Sequence, residues 1–468
     1  MQFLTVDEIA KHALADHERG EESAARARTP WCEGRSRLPH AGQRPGVEFE
    51  SGGRVCRWRW ESWREERSIM RSLLSRSIPS GHVTIPLFIA AGALSFAGPA
   101  WAQPYQLVDL GTLGGSTSFA LDVNNNRQVS GNAQTPTGQP APRLNAFFWS
   151  PPGGPMQNIG TLPGSNNFSR GYAINDFGVV VGESDNNTSR AFRWDSTNGM
   201  TGLTRLAGDN DRGVAHDINN AGTIVGISSN GTASRATRWT SGVAQDLGTI
   251  AGTATATGRA WAINQSGAIA GLSTSASGTS QATLWSGGTI TNLTSLGDGT
   301  RFSQAFGIND SGVVVGSSST GQTVGQLIGT TSTTPITRAF SWTSGVMTEL
   351  SPFNLFAPGN TGPTTNYHSV ANDINIGGLI VGNSQRIAGS AAVATLWQNG
   401  VAIDLNTLIA PGSGWNLLSA EGINDAGDIV GFGTFGGSTR AFLLTIPTPG
   451  AAMVLGLGGL FIGRRRRA

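Results

Sequence analysis

A ten-residue pattern recurs seven times along this chain, and it limits what the chain can fold into. Each copy centres on an Ile/Val-Asn pair, with Gly seven residues after the Asn in every copy and three residues after it in six. The seven residues are Asn124, Asn175, Asn219, Asn264, Asn309, Asn375 and Asn424. Successive copies are 51, 44, 45, 45, 66 and 49 residues apart. A period near 45 residues with several short strands per unit is typical of a β-propeller.

The repeated pattern predicts a β-hairpin. In "GINDSGVVVG", residues 307–316, Asn309 suits the start of a type I turn and Gly312 suits the positive φ of a bulge. The β-branched run Val313–Val315 then favours a strand. A Gly-rich phosphate loop is the alternative interpretation, but it needs a helix after the loop, and none is indicated.

A third strand in each unit carries an Ala-x-x-Trp pattern in six copies. These tryptophans are Trp149, Trp194, Trp239, Trp285, Trp342 and Trp397. Because they recur once per unit, we expect them to pack in the core and not to serve as platforms for sugars. The repeated Asn residues are interpreted in the same way, as structural turn formers.

A fourth strand, ending in an apolar-x-x-Leu pattern, follows only six of the seven third strands. The seventh third strand, at 441–444, leads directly to the C-terminal tail, and a displaced copy, "LVDLGTL", lies at 107–113. Its apolar positions are Leu107, Val108, Leu110 and Leu113. If this strand completes the last sheet, seven four-stranded antiparallel blades close with no free edge. We therefore predict an all-β fold, a seven-bladed β-propeller over 103–447 closed by the N-terminal strand of the mature chain; an open β-solenoid is the alternative.

Residues 70–102 have the features of a signal peptide. Arg71 and Arg76 precede an apolar stretch at 85–97, and Ala100 and Ala102 form an A-x-A cleavage site before Gln103. We expect export through the secretion machinery, with residues 1–69 either upstream of the true start at Met70 or a disordered tail. The alternative is a membrane or buried helix that follows a cytoplasmic segment.

The C-terminal residues 448–468 form a second directing segment. Pro447 and Pro449 precede an apolar stretch at 451–463, and a basic cluster follows. The cluster is Arg464, Arg465, Arg466 and Arg467. This layout resembles the PEP-CTERM sorting signal, although Thr448 replaces the usual Glu. The resemblance implies an exosortase-like processing enzyme as a partner, a transient membrane contact through the tail, and an extracellular or cell-surface location. A frayed hydrophobic tail is the alternative, and it leaves the arginine cluster unexplained.

The repeats resemble the HAF family of extracellular bacterial repeats. The family's core tripeptide appears here as Asn145–Phe147, Arg190–Phe192, Arg338–Phe340 and Arg440–Phe442, with Arg or Asn in place of His. The resemblance covers nearly all of 105–446. It implies an extracellular repeat module, and it implies no particular ligand or activity.

Composition excludes several kinds of site. Residues 103–447 hold 14 Arg against 18 Asp and Glu and have no Cys, so disulfides and thiolate metal sites are excluded and nucleic acid is not an expected partner. His216 and His368 lack the spacing of a zinc site. "GDND" at 208–211 lacks the rest of a calcium loop and is interpreted as a polar turn. We expect no metal, no cofactor and a monomer.

Variation in length predicts where a ligand binds. The first-to-second and third-to-fourth turns are short, whereas the longer connections must share the opposite face of the ring. On that face the candidate ligand residues are Tyr367, His368 and Trp415. No catalytic residues stand out. We expect a secreted, non-catalytic binding or structural module of the cell surface or extracellular matrix, with exopolysaccharide as its candidate ligand. The alternative is a secreted glycan-active hydrolase or lyase.

Overall fold

The computed structural model divides the chain into two units, Met1–Leu94 and Ser95–Ala468. The signal peptide and the C-terminal tail from 447 onward lie outside the described residues. Those residues are 31–32, 48–51, 54–57, 105–136, 143–164, 168–186, 188–253, 255–323, 335–351, 353, 368–386 and 391–446. In the first unit, three short strands form an antiparallel sheet in the order β1-β3-β2. They are β1 (Trp31–Cys32), β2 (Glu48–Ser51) and β3 (Arg54–Arg57).

The second unit consists of seven four-stranded antiparallel sheets, numbered here as blades I to VII. Its strands are β4 (Gln106–Gly111); β5 (Ser118–Val123), β6 (Val129–Gln134), β7 (Leu144–Trp149) and β8 (Gln157–Asn158) of blade I; β9 (Ser169–Ile174), β10 (Val180–Asn186), β11 (Thr188–Asp195) and β12 (Gly199–Gly202) of blade II; β13 (Arg212–Ile218), β14 (Ile224–Ser229), β15 (Ser234–Thr240) and β16 (Val243–Asp246) of blade III; β17 (Gly258–Ile263), β18 (Ile269–Thr274), β19 (Ser280–Ser286) and β20 (Thr289–Thr294) of blade IV; β21 (Ser303–Ile308), β22 (Val314–Thr323), β23 (Pro335–Thr343) and β24 (Val346–Glu349) of blade V; β25 (Ser369–Ile374), β26 (Ile380–Gln385), β27 (Ala392–Gln398) and β28 (Val401–Asp404) of blade VI; and β29 (Trp415–Ile423), β30 (Ile429–Phe435) and β31 (Ser438–Thr445) of blade VII. One short 3-10 helix, Leu405–Thr407, follows β28.

The blades form a closed ring. The first strand of each blade is innermost and contacts the first strands of both neighbours, including β29 of blade VII against β5 of blade I. Each seam between blades is filled by buried apolar side chains from both sides. The predicted all-β fold with seven four-stranded blades is confirmed.

Blade VII has the strand order β29-β30-β31-β4, so its fourth strand comes from the start of the unit. β4 pairs antiparallel with β31, with Leu107 opposite Leu444 and Val108 opposite Leu443. Leu110 is buried in the same apolar cluster as Phe147 of blade I. The seam between the last and first blades is thus filled by side chains from both ends of the propeller.

The repeated Asn-x-x-Gly segments form the turns that the sequence predicts. In blade II the Gly178 N–H donates to the Asn175 carbonyl at 2.9 Å, and Gly178 has φ +74°. The Asn175 Oδ1 accepts from the Val179 N–H at 3.1 Å. Blade I has Arg127 at the glycine position with φ +61°, which costs a residue with a side chain about 1–2 kcal/mol.

The second glycine of each repeat is required by close packing of the backbone. A Cβ at Gly316 would lie 2.0 Å from the Gln304 carbonyl oxygen on the adjacent first strand. A Cβ at Gly182 would lie 1.8 Å from the equivalent oxygen of Arg170. No side chain fits at such distances, which explains why this glycine occurs in every repeat.

Five of the six repeated tryptophans are buried, and Trp342 is half-buried. Their indole N–H groups can also join neighbouring blades. The Trp239 N–H donates to the Thr204 carbonyl of blade II at 2.6 Å, and the Trp397 N–H donates to Ser351 after blade V at 3.0 Å. These tryptophans therefore pack between the blades and are not free for stacking against a ligand.

The two faces of the ring differ in their connections. Ile174, Val180, Trp194 and Met200 lie opposite one another across blade II, so its first-to-second and third-to-fourth turns are on the same side. We call this side of the ring the turn face. The opposite side, with the second-to-third and blade-to-blade connections, is the loop face.

Candidate functional site

The inner strands surround a central channel, and a ring of asparagines closes around it at the turn face. The side-chain Nδ2 of each repeated Asn donates to the backbone carbonyl of the Asn in the next blade. The bonds run Asn124 to Asn175 (2.8 Å), Asn175 to Asn219 (3.2 Å), Asn219 to Asn264 (3.2 Å), Asn264 to Asn309 (3.1 Å), Asn309 to Asn375 (3.0 Å), Asn375 to Asn424 (3.1 Å) and Asn424 to Asn124 (3.0 Å). Each side chain thus caps its own turn and also links two blades.

A second ring of hydrogen bonds lies beside the first. In six of the seven blades, the residue after the Asn accepts, through its side chain, from the backbone N–H of the equivalent residue in the preceding blade. Its acceptors are Asp176 (2.9 Å), Asn220 (3.0 Å), Gln265 (2.9 Å), Asp310 (2.8 Å), Asp425 (3.1 Å) and Asn125 (3.0 Å). Blade VI has Ile376 at this position, which offers no side-chain acceptor, so the second ring is open between blades V and VI.

Three carboxylates line the channel below the asparagine ring, in blades I, III and VI. Each spans two blades through backbone hydrogen bonds. Asp122 accepts from the Val123 N–H at 2.7 Å and from the Ile174 N–H of blade II at 2.8 Å. Asp217 and Asp373 make the same pair of bonds to their own and the next blade. The carboxylate oxygens are therefore used in holding the inner strands together.

The surroundings of these carboxylates favour their neutral form. Burial, and to a smaller extent the neighbouring Asp217, raises the pKa of Asp122 to about 7. Burial raises the pKa of Asp217 to about 6. Burial, followed by the charge of Asp122, raises the pKa of Asp373 well above its usual range. Each side chain keeps some contact with solvent along the channel.

A layer of rings lies next along the channel, on four consecutive blades. Tyr172 and His216 have ring centroids 5.7 Å apart, His216 and Trp261 4.1 Å, and Trp261 and Phe306 5.7 Å. Each of these four residues is at the β-bulge of its inner strand, and each lies three positions before the repeated Asn. The remaining three blades have Asn372, Glu421 and Leu121 at this position.

Two nitrogen atoms of this layer have no partner within the described protein. The His216 Nδ1 is 2.8 Å from the Ala260 carbonyl, so Nδ1 carries the proton and Nε2 is an acceptor. Burial lowers the pKa of His216 to about 4, which keeps the imidazole neutral. The indole N–H of Trp261 is buried without an acceptor. A buried donor without an acceptor is costly, and a ligand hydroxyl that entered this layer would supply the missing acceptor.

A charged network lies toward the loop face on the same side of the channel. Glu183 is fully buried and bonds Arg170 at 3.0 Å, Arg212 at 3.0 Å and the Tyr172 hydroxyl at 2.8 Å. Although burial opposes it, the hydrogen bond from the Ser189 hydroxyl, followed by the charge of Arg212 and the Tyr172 hydroxyl, holds the pKa of Glu183 below its usual value. Arg259 of blade IV is exposed, and its charge, like that of Arg212, acts on His216. Among these four charged side chains the three arginines exceed the single carboxylate by two charges.

Of the candidate ligand residues from the sequence, His368 and Trp415 lie at the loop face, outside the channel. Tyr367 is not among the described residues. His368 directly precedes β25, and its Nδ1 accepts from the Thr337 N–H at 3.3 Å. Trp415 is the first residue of β29 and not part of a loop, and it stacks on Phe435 with centroids 5.2 Å apart. The channel layer was not predicted from the sequence, because its members share a position and not a residue type.

Within the described part of the chain, no group of three or more His, Cys, Asp or Glu residues is arranged to hold a metal ion. Over the same residues, no helix is long and apolar enough to cross a membrane.

Comparison with known proteins finds similarity in fold only. No protein-family model and no curated protein sequence matches the chain. Among solved structures, it is similar to the β-propeller domain of the Trilobed protease from Pyrococcus furiosus, with a TM-score of 0.42 and 8% identity over 70% of this chain and 95% of that one. It is also similar to TolB from Acinetobacter baumannii, with a TM-score of 0.34 and 13% identity over 72% of this chain and 65% of that one.

Proposed function

We propose that this protein is an exported, surface-retained binding module without catalytic activity, and that its propeller binds exopolysaccharide in the central channel, which the ligand enters from the loop face. Export is supported by the signal-peptide pattern at 70–102, and surface retention by the tail at 448–468 with its resemblance to an exosortase substrate. The resemblance to HAF repeats supports an extracellular setting.

The observation that carries the ligand proposal is the ring layer in the channel. Tyr172, His216, Trp261 and Phe306 provide apolar ring surface, and the Trp261 N–H and His216 Nε2 provide a donor and an acceptor without protein partners. Saccharides offer apolar C–H faces and hydroxyl groups that both donate and accept. The exposed Arg259 near the mouth favours a saccharide that carries carboxylate groups.

The carboxylates of the channel support binding over hydrolysis. Asp122, Asp217 and Asp373 each accept two backbone hydrogen bonds, and Glu183 is held by two arginines. A glycosidase needs a carboxylic acid and a second carboxylate that reach the scissile bond from free positions. A secreted glycan-active enzyme is accordingly only the second candidate, and the test below has its own outcome for it.

A glycan array that includes uronic-acid polymers, read beside a release assay for reducing sugars, tests this function. We expect binding by the wild-type chain without turnover. Trp261→Phe keeps the ring and removes the N–H, and it should weaken binding about 2- to 10-fold, the range for one hydrogen bond. Trp415→Phe is the matched control at the loop face and should leave binding unchanged.

Each other result has a definite meaning. Turnover that is lost on substitution of Glu421 or Glu183 would establish the enzyme alternative. Binding that depends on Trp415 and not on Trp261 would move the ligand to the rim of blade VII. No binding to any glycan would contradict the ligand proposal.

A further inference from the structure

We infer that the turn face of the propeller lies against a lipid bilayer while the chain is held by its C-terminal tail. This inference rests on the proposed function, because it takes the tail at 448–468 to be membrane-associated. It adds an orientation, with one face of the ring on the membrane and the channel mouth at the loop face directed away from it.

Exposed apolar side chains are concentrated on the turn face. Among the described residues, seven large apolar side chains are strongly exposed. One of the seven, Phe302, lies on the loop face, directly before an inner strand. The other six are at turn-face positions: Phe177, Val243, Val346, Ile376, Val401 and Ile446. Single exposed apolar residues are ordinary, but an excess on one face is typical of an interaction surface.

Three of these side chains occupy equivalent positions. Val243, Val346 and Val401 each begin the fourth strand of a blade, directly after the tight third-to-fourth turn. Phe177 and Ile376 lie in the first-to-second turns of blades II and VI, and Phe177 is 75% exposed. Together with Ile446, these side chains lie on five blades. Because they project from the turn face, they can enter the interface of a bilayer without any rearrangement of the fold.

The end of the propeller chain lies at this same face. Thr445, the last residue of β31, pairs with Gln106, the first residue of β4, so both ends of the propeller leave the turn face side by side. Ile446 follows and packs beside the turn of blade VII, where a Cβ at Gly427 would lie 3.1 Å from its Cδ1.

The length of the connection to the tail limits the orientation. Only residues 447–450 separate Ile446 from the apolar stretch that begins at Ala451. Five fully extended residue steps span at most about 18 Å. A six-residue strand such as β4 is itself about 20 Å long, so the loop face cannot contact the bilayer that holds the stretch at 451–463. The turn face is the nearest surface, and a bilayer is the partner that both the tail and the exposed side chains fit.

Fluorescent labels at single cysteines test this orientation in the full chain. Cys32 and Cys56 are replaced by Ser, and one cysteine is introduced by Val401→Cys (blade VI), Val243→Cys (blade III, across the ring) or Phe302→Cys (loop face). Each labelled chain is added to vesicles of phosphatidylethanolamine and phosphatidylglycerol with nitroxide-bearing acyl chains. When the labelled chain floats with the vesicles, the emission of the labels at 401 and 243 should shift to the blue and be quenched. The emission of the label at 302 should show neither change.

The other outcomes are distinguishable. If the chain floats and the label at 302 is quenched, the propeller is anchored in another orientation. If the chain floats and only the label at 401 is quenched, the propeller is anchored on its edge. Either result contradicts this inference and leaves the proposed function standing. A failure to float contradicts both the inference and the membrane step of the proposed function. A blue shift at 243 and 401 that appears without vesicles and grows with protein concentration would assign the surface to a second copy of the chain.

Discussion

At the residue scale, the seam between the last and first blades has a feature that the other seams lack. Arg127 replaces the turn glycine of blade I, and its Nε lies 2.8 Å from the Asp428 Oδ2 of blade VII. The Asp428 side chain is almost fully buried, whereas Arg127 is partly exposed. The other described blades have an uncharged residue at the position of Asp428. An ion pair has therefore replaced the glycine and the neutral residue that the other repeats use.

We predict an asymmetric response when this pair is divided. Arg127→Gly leaves the buried Asp428 carboxylate without its cation, and this loss should lower the free energy of unfolding by about 1–3 kcal/mol. Relief of the backbone strain at the positive φ of Arg127 offsets part of that loss. Asp428→Val leaves an arginine that can turn to solvent, so its effect should be smaller. The double variant carries the residues of blade II, Gly178 and Val179, at these positions and should unfold within about 1 kcal/mol of wild type.

Guanidinium denaturation of the four chains measures the coupling between the two positions. Arg193→Ala is the control, since Arg193 pairs at 3.1 Å with Asp195 at the surface, where such pairs contribute at most about 1 kcal/mol. Additive effects of Arg127→Gly and Asp428→Val would show that the two side chains do not interact in solution.

The repeated Asn shows what a single residue pattern can and cannot indicate. Asn-x-x-Gly determines a local turn, because the side-chain oxygen bonds an N–H four residues later, as at Asn175 and Val179. The bond from Nδ2 to the next blade depends on the distance between inner strands. That distance is set by the packing of the whole ring, so the sequence of one repeat does not reveal it.

At the element scale, β4 is the strand that completes blade VII. Leu110 of β4 and Leu203, just after β12 in blade II, stand at equivalent positions and are about equally buried, at 4% and 5% exposure. They differ in one respect: Leu203 follows its partner strand along the chain, whereas Leu110 is more than 300 residues from β31.

We predict that Leu110→Ala and Leu203→Ala destabilise the protein by similar amounts, about 2–5 kcal/mol each, because both delete the same buried side chain. Thermal or chemical unfolding of the two variants side by side is the measurement. A loss of stability in Leu203→Ala with none in Leu110→Ala would mean that β4 is not docked on blade VII in solution.

The elements of the fold were more predictable than the site they surround. Counting third and fourth strands showed that one was displaced to 107–113, and this required no knowledge of packing. The ring layer of Tyr172, His216 and Trp261 was missed because its members differ in type. Aligning the repeats on their Asn places these residues in one column, three positions before it, and that was the only available signal.

At the scale of the whole molecule, the number of blades affects the residues around the channel. Asp122, Asp217 and Asp373 each have a small residue at the equivalent position in both neighbouring blades. The small residues are Ala173, Ala262, Gly307 and Gly422. A Cβ at Gly422 would lie 3.1 Å from the Asp122 Cα, so two large residues do not fit side by side. Strict alternation is impossible in a ring of seven, and the two small residues that must adjoin are Ala262 and Gly307.

These three carboxylates make the stability of the ring depend on pH. With the pKa of Asp122 raised to about 7 and that of Asp217 to about 6, the folded protein binds more protons than the unfolded chain above about pH 4. The unfolding free energy therefore falls as pH rises through these values. His216, whose pKa burial lowers to about 4, acts in the opposite sense as pH falls below 6.5, and so does His368, whose pKa burial also lowers. They are two groups against four carboxyls with a raised pKa, because burial raises the pKa of Glu421 as well.

We therefore predict a higher guanidinium midpoint at pH 5 than at pH 8 at constant ionic strength. Asp217→Ala, which introduces the residue found in blades II and IV, should reduce the difference between the two midpoints, even though it removes the hydrogen bonds from Ile218 and Ile263. Asp195→Ala is the control, because hydrogen bonds from Asn198 hold the pKa of this surface carboxyl below its usual value and its titration ends below pH 5. A midpoint that rises from pH 5 to pH 8 would mean that the channel carboxylates are stabilised as anions, with their backbone hydrogen bonds outweighing the cost of burial.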